Sequence, residues 1–300
     1  MQPGRLRRAS LTTLRARQGS AIDGPRRHAL AGLPLERGRR CATARADRSR
    51  SLANRVEAVA SHGGAGQYIE PMPLRTLLPT QCAVCRGWGR SRLCGDCVGR
   101  FAAARLRCRV CAIAVPSGTS ACGACLQQPP PFTLSVAAVD YGFPWSGLVA
   151  AFKFRAAVDL APALAALLAD AVRAADGPGP TLLLPVPLSA ERLAERGMNQ
   201  AWELARRVGA QLNIEARADV LRRLIDTPHL ADLPRAQRAA RIRGAFGIAP
   251  GQAHRLRGQC VALVDDVMTS GATAAEAAHV LRAGGASEVQ VWVVARTPVS

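Results

Sequence analysis

Eight of the ten cysteines in this 300-residue chain fall into four Cys-x-x-Cys pairs within 44 residues. They are Cys82 and Cys85, Cys94 and Cys97, Cys108 and Cys111, and Cys122 and Cys125. A Cys-x-x-Cys turn sets two thiolates on one side of a tight loop, and two such turns complete a tetrahedral sulfur shell around zinc. The pattern predicts a module over residues 72–128 with two structural Zn2+ sites. Four thiolates leave no open coordination position, so these metals should support folding and not catalysis. Zinc-finger peptides gain about 10–16 kcal/mol on binding metal at neutral pH, enough to fold a segment with almost no core. Iron–sulfur ligation is the alternative. Spacing leaves open whether neighbouring pairs close on one metal or interleave. Clustered thiolates also indicate a reducing compartment, the cytoplasm. Cys41 and Cys260 stand outside the pattern, and Cys260, opening an apolar run, reads as a small buried hydrophobe.

No stretch approaches the roughly 18 consecutive apolar residues of a membrane span, which argues against insertion in a bilayer. The formal charge of +19 is shared by both parts of the chain: residues 1–71 hold fourteen arginines against five acids, and the rest is also basic. Such charge favours polyanionic partners, nucleic acid or phosphorylated small molecules. Thirty-nine arginines against one lysine is also a compositional bias, one that accounts for arginine over lysine better than for net positivity. Residues 1–71 lack periodicity and carry one aromatic, Tyr68, so they read as a disordered, arginine-rich extension. A targeting segment, or a translation start at Met72, are the other readings.

After Pro129-Pro130-Pro131, a second domain is expected over residues 132–300. Its first 23 residues hold six aromatics: Phe132, Tyr141, Phe143, Trp145, Phe152 and Phe154. Lys153 lies between the last two. Aromatics interleaved with cations could stack single-stranded nucleic acid, or they could be core. Residues 158–174 read as an amphipathic helix.

Further on, apolar runs of strand length alternate with helical stretches. Residues 181–186 form a strand closed by Pro185-Val186-Pro187, and a helix follows over 191–212 with Ser189 as N-cap. A second strand, 261–264, is bounded by Asp265 and Asp266. A helix over 274–283 and a third strand over 288–295 complete the pattern. This alternation indicates an α/β fold, a parallel sheet with helices on both faces, in which ligands sit at the carboxyl ends of strands. The loop after Asp266 carries Thr269, Ser270, Gly271, Ala272 and Thr273. Its small residues and hydroxyls, ahead of a helix N-terminus, make a phosphate cradle. The two carboxylates before it suit hydroxyl groups and a hydrated Mg2+. A phosphate site beside a diol site describes a ribose 5-phosphate. No GxxxxGK[ST] or GxGxxG pattern is present, so nucleotide hydrolases and dinucleotide-binding folds drop out.

The thirteen residues 261–273 resemble the phosphoribosyl pyrophosphate signature of type I phosphoribosyltransferases. Residues 73–298 as a whole resemble the ComF family (ComFC or GntX-like). The likeness is carried by the cysteine module, Phe152-Lys153-Phe154, Pro185-Val186-Pro187, Arg196-Gly197-Met198-Asn199-Gln200 and the stretch 227–246. The resemblance implies that Asp265 and Asp266 are the catalytic pair on the ribose hydroxyls, with Thr269, Ser270, Gly271, Ala272 and Thr273 on the 5-phosphate. It makes Val186, Pro187 and Leu188 the pyrophosphate loop, and brings Lys153, Arg196, Asn199 and Gln200 to the same cleft. Residues 223–243 become the hood, where Leu230 and Arg241 depart from the usual Gln and Asn. The implied function is binding of phosphoribosyl pyrophosphate with Mg2+, in the handling of single-stranded DNA during competence, with a DNA-uptake helicase as partner. An active phosphoribosyltransferase acting on a base or amine, and a non-catalytic phosphoribosyl-ligand sensor, are the alternatives. His229 is the nearest candidate for proton transfer, and no glutamine-hydrolysing domain accompanies the fold.

Overall fold

The computed structural model describes residues 79–225 and 241–298. The readings for residues 1–71, Met72, His229 and Leu230 lie outside the described residues.

The cysteine-rich stretch is built from a short antiparallel ribbon, β1 (Thr80–Gln81) with β2 (Trp88–Gly89), and two short helices. Helix α1 (Gly95–Phe101) starts directly after Cys94, and α2 (Gly123–Gln127) directly after Cys122. Next come β3 (Leu134–Asp140), α3 (Trp145–Phe154) and α4 (Ala161–Ala174), the last entered through a 3-10 turn, Val158–Leu160. Then follow β4 (Leu182–Pro185), α5 (Ala190–Arg196), α6 (Gln200–Leu212) and β5 (Glu215–Ala216). An antiparallel ribbon, β6 (Leu221–Arg223) with β7 (Phe246–Ile248), precedes β8 (Cys260–Met268), α7 (Ala272–Ala283) and β9 (Glu288–Arg296).

Five strands form one parallel sheet in the order β3-β9-β8-β4-β5. Both faces are covered, so the period of two sorts apolar side chains into two cores instead of core and solvent. On β8, Val261 and Leu263 pack with Leu281 of α7 and Phe246, while Ala262 and Val264 pack with Leu164, Phe152 and Leu204 from α4, α3 and α6. Cys260 is fully buried, as a small hydrophobe at a strand start should be.

The structure corrects several boundaries. The helix expected over 191–212 is two helices: Gly197, at φ 70°, ends α5 in the left-handed region, and Asn199 caps α6. Glycine meets the first demand without a Cβ penalty, and asparagine is a favoured N-cap. Ser189 does cap α5, accepting from the Arg192 amide at 3.4 Å. Strand β8 does not stop at Val264. It carries Asp265 and Asp266 within it and stays paired to β9 as far as Met268 opposite Arg296. The sheet also has an edge strand, β3, in the stretch read for its aromatics alone.

Helix α6 passes so close to β5 that a Cβ on Gly209 would stand 2.6 Å from the Ile214 carbonyl oxygen. Backbone cannot yield cheaply, so Gly209→Ala should cost about 1–3 kcal/mol. Thermal denaturation should show a lowered midpoint; an unchanged midpoint would mean that the helix slides off the sheet at little cost.

Candidate functional site

The eight cysteines gather into two sets of four, Cys82, Cys85, Cys94 and Cys97, and Cys108, Cys111, Cys122 and Cys125, with the sulfurs of each set within 4.8 Å of one another. Neighbouring pairs close on each other, which answers the question that spacing left open. A tetrahedron of ~2.3 Å zinc–sulfur bonds has edges of about 3.8 Å. Sγ of Cys85 lies 3.7 Å from that of Cys94, and Sγ of Cys111 lies 3.7 Å from that of Cys122. Each four-cysteine set therefore has the size and donors to hold a zinc ion. The amide of Cys94 donates to Cys82 Sγ at 3.5 Å, and that of Cys122 to Cys108 Sγ at 3.3 Å. Burial pushes both thiols up, but the backbone amides around them win and bring Cys82 down to about 6 and Cys108 to about 7. Cys97, with burial acting first and the neighbouring sulfurs after it, goes up to about 12. Four thiolates at such distances repel until a dication neutralises them.

The second set is tied into the parallel sheet. Ser135 Oγ on β3 donates to the Val110 carbonyl at 2.6 Å, and Arg107 donates to Asp140 at 2.7 Å. The first set packs through Leu93 and Phe101 toward α3, whose Trp145 indole donates to the Phe101 carbonyl at 2.9 Å.

A cavity of about 370 Å³ opens at the carboxyl ends of β4 and β8. Asp265, Asp266, Lys153, Val186, Pro187, Leu188, Arg196, Asn199, Gln200, Thr269, Ser270, Ala272 and Thr273 all line it. Of the residues singled out from the sequence for this cleft, Gly271 alone is not in the lining; at φ 82° it makes the turn into α7. Tyr141, Phe154, Arg192 and Arg223 line the cavity as well. Arg192 carried no site signal in the sequence, and Tyr141 only its place among the interleaved aromatics.

The acidic pair sits toward the carboxyl end of β8, just past its last pairing with β4, where the strand stays paired to β9. Asp266 is buried, and its Oδ1 meets Lys153 Nζ at 2.9 Å. Asp265 accepts from the Asp266 amide at 2.8 Å. Burial, then the Asp266 carboxylate, push the Asp265 carboxyl up to about 7 against the pull of Lys153. Burial lowers Lys153, but the two carboxylates outweigh it and hold the ammonium above its ordinary value. Perturbed titratable groups facing one another in a cleft are a common mark of functional sites.

Around the pair, several polar side chains have structural duties. Asn199 Oδ1 accepts from the amides of Ala201 and Trp202, while its Nδ2 donates to the Val186 carbonyl at 3.2 Å. It thus fixes the 186–188 turn to the start of α6. Gln200, buried, donates to the Lys153 carbonyl at 3.4 Å and accepts from Arg196 at 3.3 Å. The Arg196 guanidinium also lies 5.0 Å over the ring of Phe154. The aromatic segment splits in two: Phe132, Trp145 and Phe152 are core, whereas Phe143 is 82% and Phe154 64% exposed.

No family model matches the sequence. The DNA utilization protein YhgH of Salmonella typhi is 32% identical over 230 residues, which span 73% of this chain and 98% of that protein. Competence protein F of Haemophilus influenzae is 32% identical over 223 residues, 72% of this chain and 96% of that one. The chain belongs to the ComF family. Its architecture is the expected one, a parallel sheet with helices on both faces preceded by a module with two four-cysteine sets. Among solved structures, adenine phosphoribosyltransferase from Leishmania donovani matches at 17% identity over 54% of this ComF chain and 70% of that chain, with a TM-score of 0.31. Glutamine phosphoribosylpyrophosphate amidotransferase from B. subtilis matches at 20% identity over 44% of this chain, with a TM-score of 0.28; this chain spans 25% of that one. Those overlays add nothing to the sheet order and the family relatives. Among the described residues of this ComF protein, no helix is long and apolar enough to cross a membrane.

Proposed function

We propose that the cavity binds phosphoribosyl pyrophosphate together with Mg2+. The observation that carries this reading is the meeting, in one cavity at the carboxyl end of β8, of an acidic pair and a hydroxyl-bearing loop that opens α7. Asp265 and Asp266 accept hydrogen bonds from the ribose hydroxyls. Thr269, Ser270 and Thr273 donate to the 5-phosphate, which also sits at the positive end of the α7 dipole. The 186–188 turn, held by Asn199, faces the pyrophosphate, and Arg196 supplies positive charge on the same side. Mg2+ fits as a companion of the ligand: it favours hard oxygen donors and keeps several waters, and one or two carboxylates satisfy its protein side. When bound, it neutralises charge on the pyrophosphate oxygens. Calorimetric titration of the zinc-loaded full chain with phosphoribosyl pyrophosphate and Mg2+ should give saturable binding. An absence of heat, with the protein shown to be folded, would sink the reading.

A role in handling single-stranded DNA has its own support. Phe143 is exposed beside Phe101, their ring centroids 5.8 Å apart and edge-on, with the Arg100 guanidinium 5.4 Å over Phe101. Exposed rings flanked by cations stack bases without regard to sequence, at about 1–3 kcal/mol per base. Relatives named for DNA utilization and competence point the same way. Single-stranded DNA should shift in a gel, with affinity falling steeply as salt rises, and Phe143→Ala should weaken the shift. No shift at low salt would remove this role.

A further inference from the structure

We infer that Arg296 is a positioning residue, which sets the phosphate loop by tying its entry to the second four-cysteine set. The inference rests on the reading of the 269–273 loop as a phosphate site.

Arg296 ends β9 and is 2% exposed. A guanidinium that deep must have its donors met, since it stays charged and carries five N–H groups in a rigid plane. Here the acceptors are main-chain carbonyls. Nε donates to the Cys111 carbonyl at 2.7 Å, and Nη1 to those of Met268 at 3.0 Å, Thr297 at 2.9 Å, and Thr269. One side chain therefore joins the knuckle of the second set, the last residue of β8 and the first residue of the loop. The Met268 carbonyl is pinned twice, because the Thr297 amide also donates to it, at 3.1 Å.

Pinning carbonyls fixes amides. In a trans peptide the C=O of one residue and the N–H of the next point in opposite directions within one plane. With the Met268 and Thr269 carbonyls turned to Arg296, the amides of Thr269 and Ser270 point away from it. Thr269 and Ser270 line the cavity and Arg296 does not. The guanidinium thus orients N–H donors toward the ligand from behind the wall, without touching the ligand. Because its Nε is spent on Cys111, a residue of the second set, metal at that set and the aim of the loop share one support.

The test compares Arg296→Met and Arg296→Lys with Ser135→Ala, in the zinc-loaded full chain. Ser135 makes another tie between the second set and the sheet, to Val110, and touches no part of the loop. Two quantities are read: affinity for ribose 5-phosphate by calorimetry, and amide hydrogen exchange at Thr269 and Ser270 without ligand. Arg296→Lys keeps the charge but not the planar fork, and should lose at least tenfold in affinity while exchange at both amides accelerates. Ser135→Ala should lower the melting midpoint and leave both readings unchanged. Should Arg296→Met fail to fold, Arg296→Lys alone decides. Equal affinity and equal exchange in Arg296→Lys and wild type would overturn the inference. If wild type binds no ribose 5-phosphate, the phosphate-site reading fails, and the exchange comparison still decides whether Arg296 sets the loop.

Discussion

Asp265→Asn is expected to weaken phosphoribosyl pyrophosphate binding by roughly a hundredfold and, at pH 8, to make the protein more stable. The loss of affinity is the loss of charge-assisted hydrogen bonds to ribose hydroxyls, about 1.5–3 kcal/mol each. The gain in stability follows from the raised carboxyl. Burial and Asp266 lift its folded-state value to about 7 from an ordinary 3.8. Below pH 4 the group is protonated in both folded and unfolded chains and contributes no difference. Between pH 4 and 7 the unfolded chain gives up the proton that the folded chain keeps, so folding is progressively penalised. Above pH 7 the full penalty is in place. Asparagine removes it, and the variant should gain about 1–3 kcal/mol at pH 8, fading as the pH falls toward 4. Chemical denaturation at pH 4.5, 6 and 8, beside calorimetry, measures both effects. Asp266→Asn should behave in the opposite way: it strips the partner from Lys153 across a 2.9 Å contact and should cost about 3 kcal/mol near neutrality. Two adjacent carboxylates with opposite stability signs would mark Asp265 as the one held for function at the fold's expense. A destabilised Asp265→Asn at pH 8 would contradict the electrostatics described for the pair.

Removing the metal should do more damage than any single substitution. Two zinc ions per chain are expected by elemental analysis. Stripping them leaves two nests of crowded sulfurs, and structural zinc is worth on the order of 10 kcal/mol per site. The consequence should reach the parallel sheet, because the four-cysteine sets join both of its cores. Val110 and Ala112 pack into one, Leu93 and Phe101 into the other. Trp145, 2% exposed, has its indole bonded to the Phe101 carbonyl. Its emission should move to the red as chelation proceeds, in step with loss of helical circular dichroism, and zinc should restore both. Complete metal removal with unchanged emission and melting midpoint would show that the sulfur sets hold themselves together.

Particular residues explain what the sequence revealed and what it hid. The cysteine pairs were legible because their chemistry leaves few uses for four such turns in a row, yet intervals of eight and ten residues permit either pairing. Asp265 and Asp266 stood out against the apolar run before them. The strand that carries them seemed to end there because hydropathy turns over at Val264, whereas backbone pairing continues to Met268. Strand β3 went unread: Leu134–Asp140 is alanine-containing and buried on both faces, so it has neither alternation nor a strong β-forming composition. The break between α5 and α6 was written as Gly197-Met198-Asn199, a stop followed by a start, but helical periodicity runs through it. Arg192 and Arg296 were invisible for a statistical reason. Where thirty-nine arginines are spread along the chain, one more carries no message until its neighbours are seen.

The scarcity of the other basic residue has the opposite effect. Lys153 is the chain's one lysine, and it stands inside the cavity against Asp266. An acylating reagent selective for side-chain amines, applied at a pH high enough to free the Lys153 ammonium of its proton, therefore has a single target in the polypeptide, apart from the terminal amine. Whole-protein mass spectrometry would resolve that adduct without peptide mapping. Any molecule that fills the cavity becomes detectable by the protection it confers, whatever its identity, so a collection of untagged metabolites can be screened against the wild-type protein with no assay for turnover.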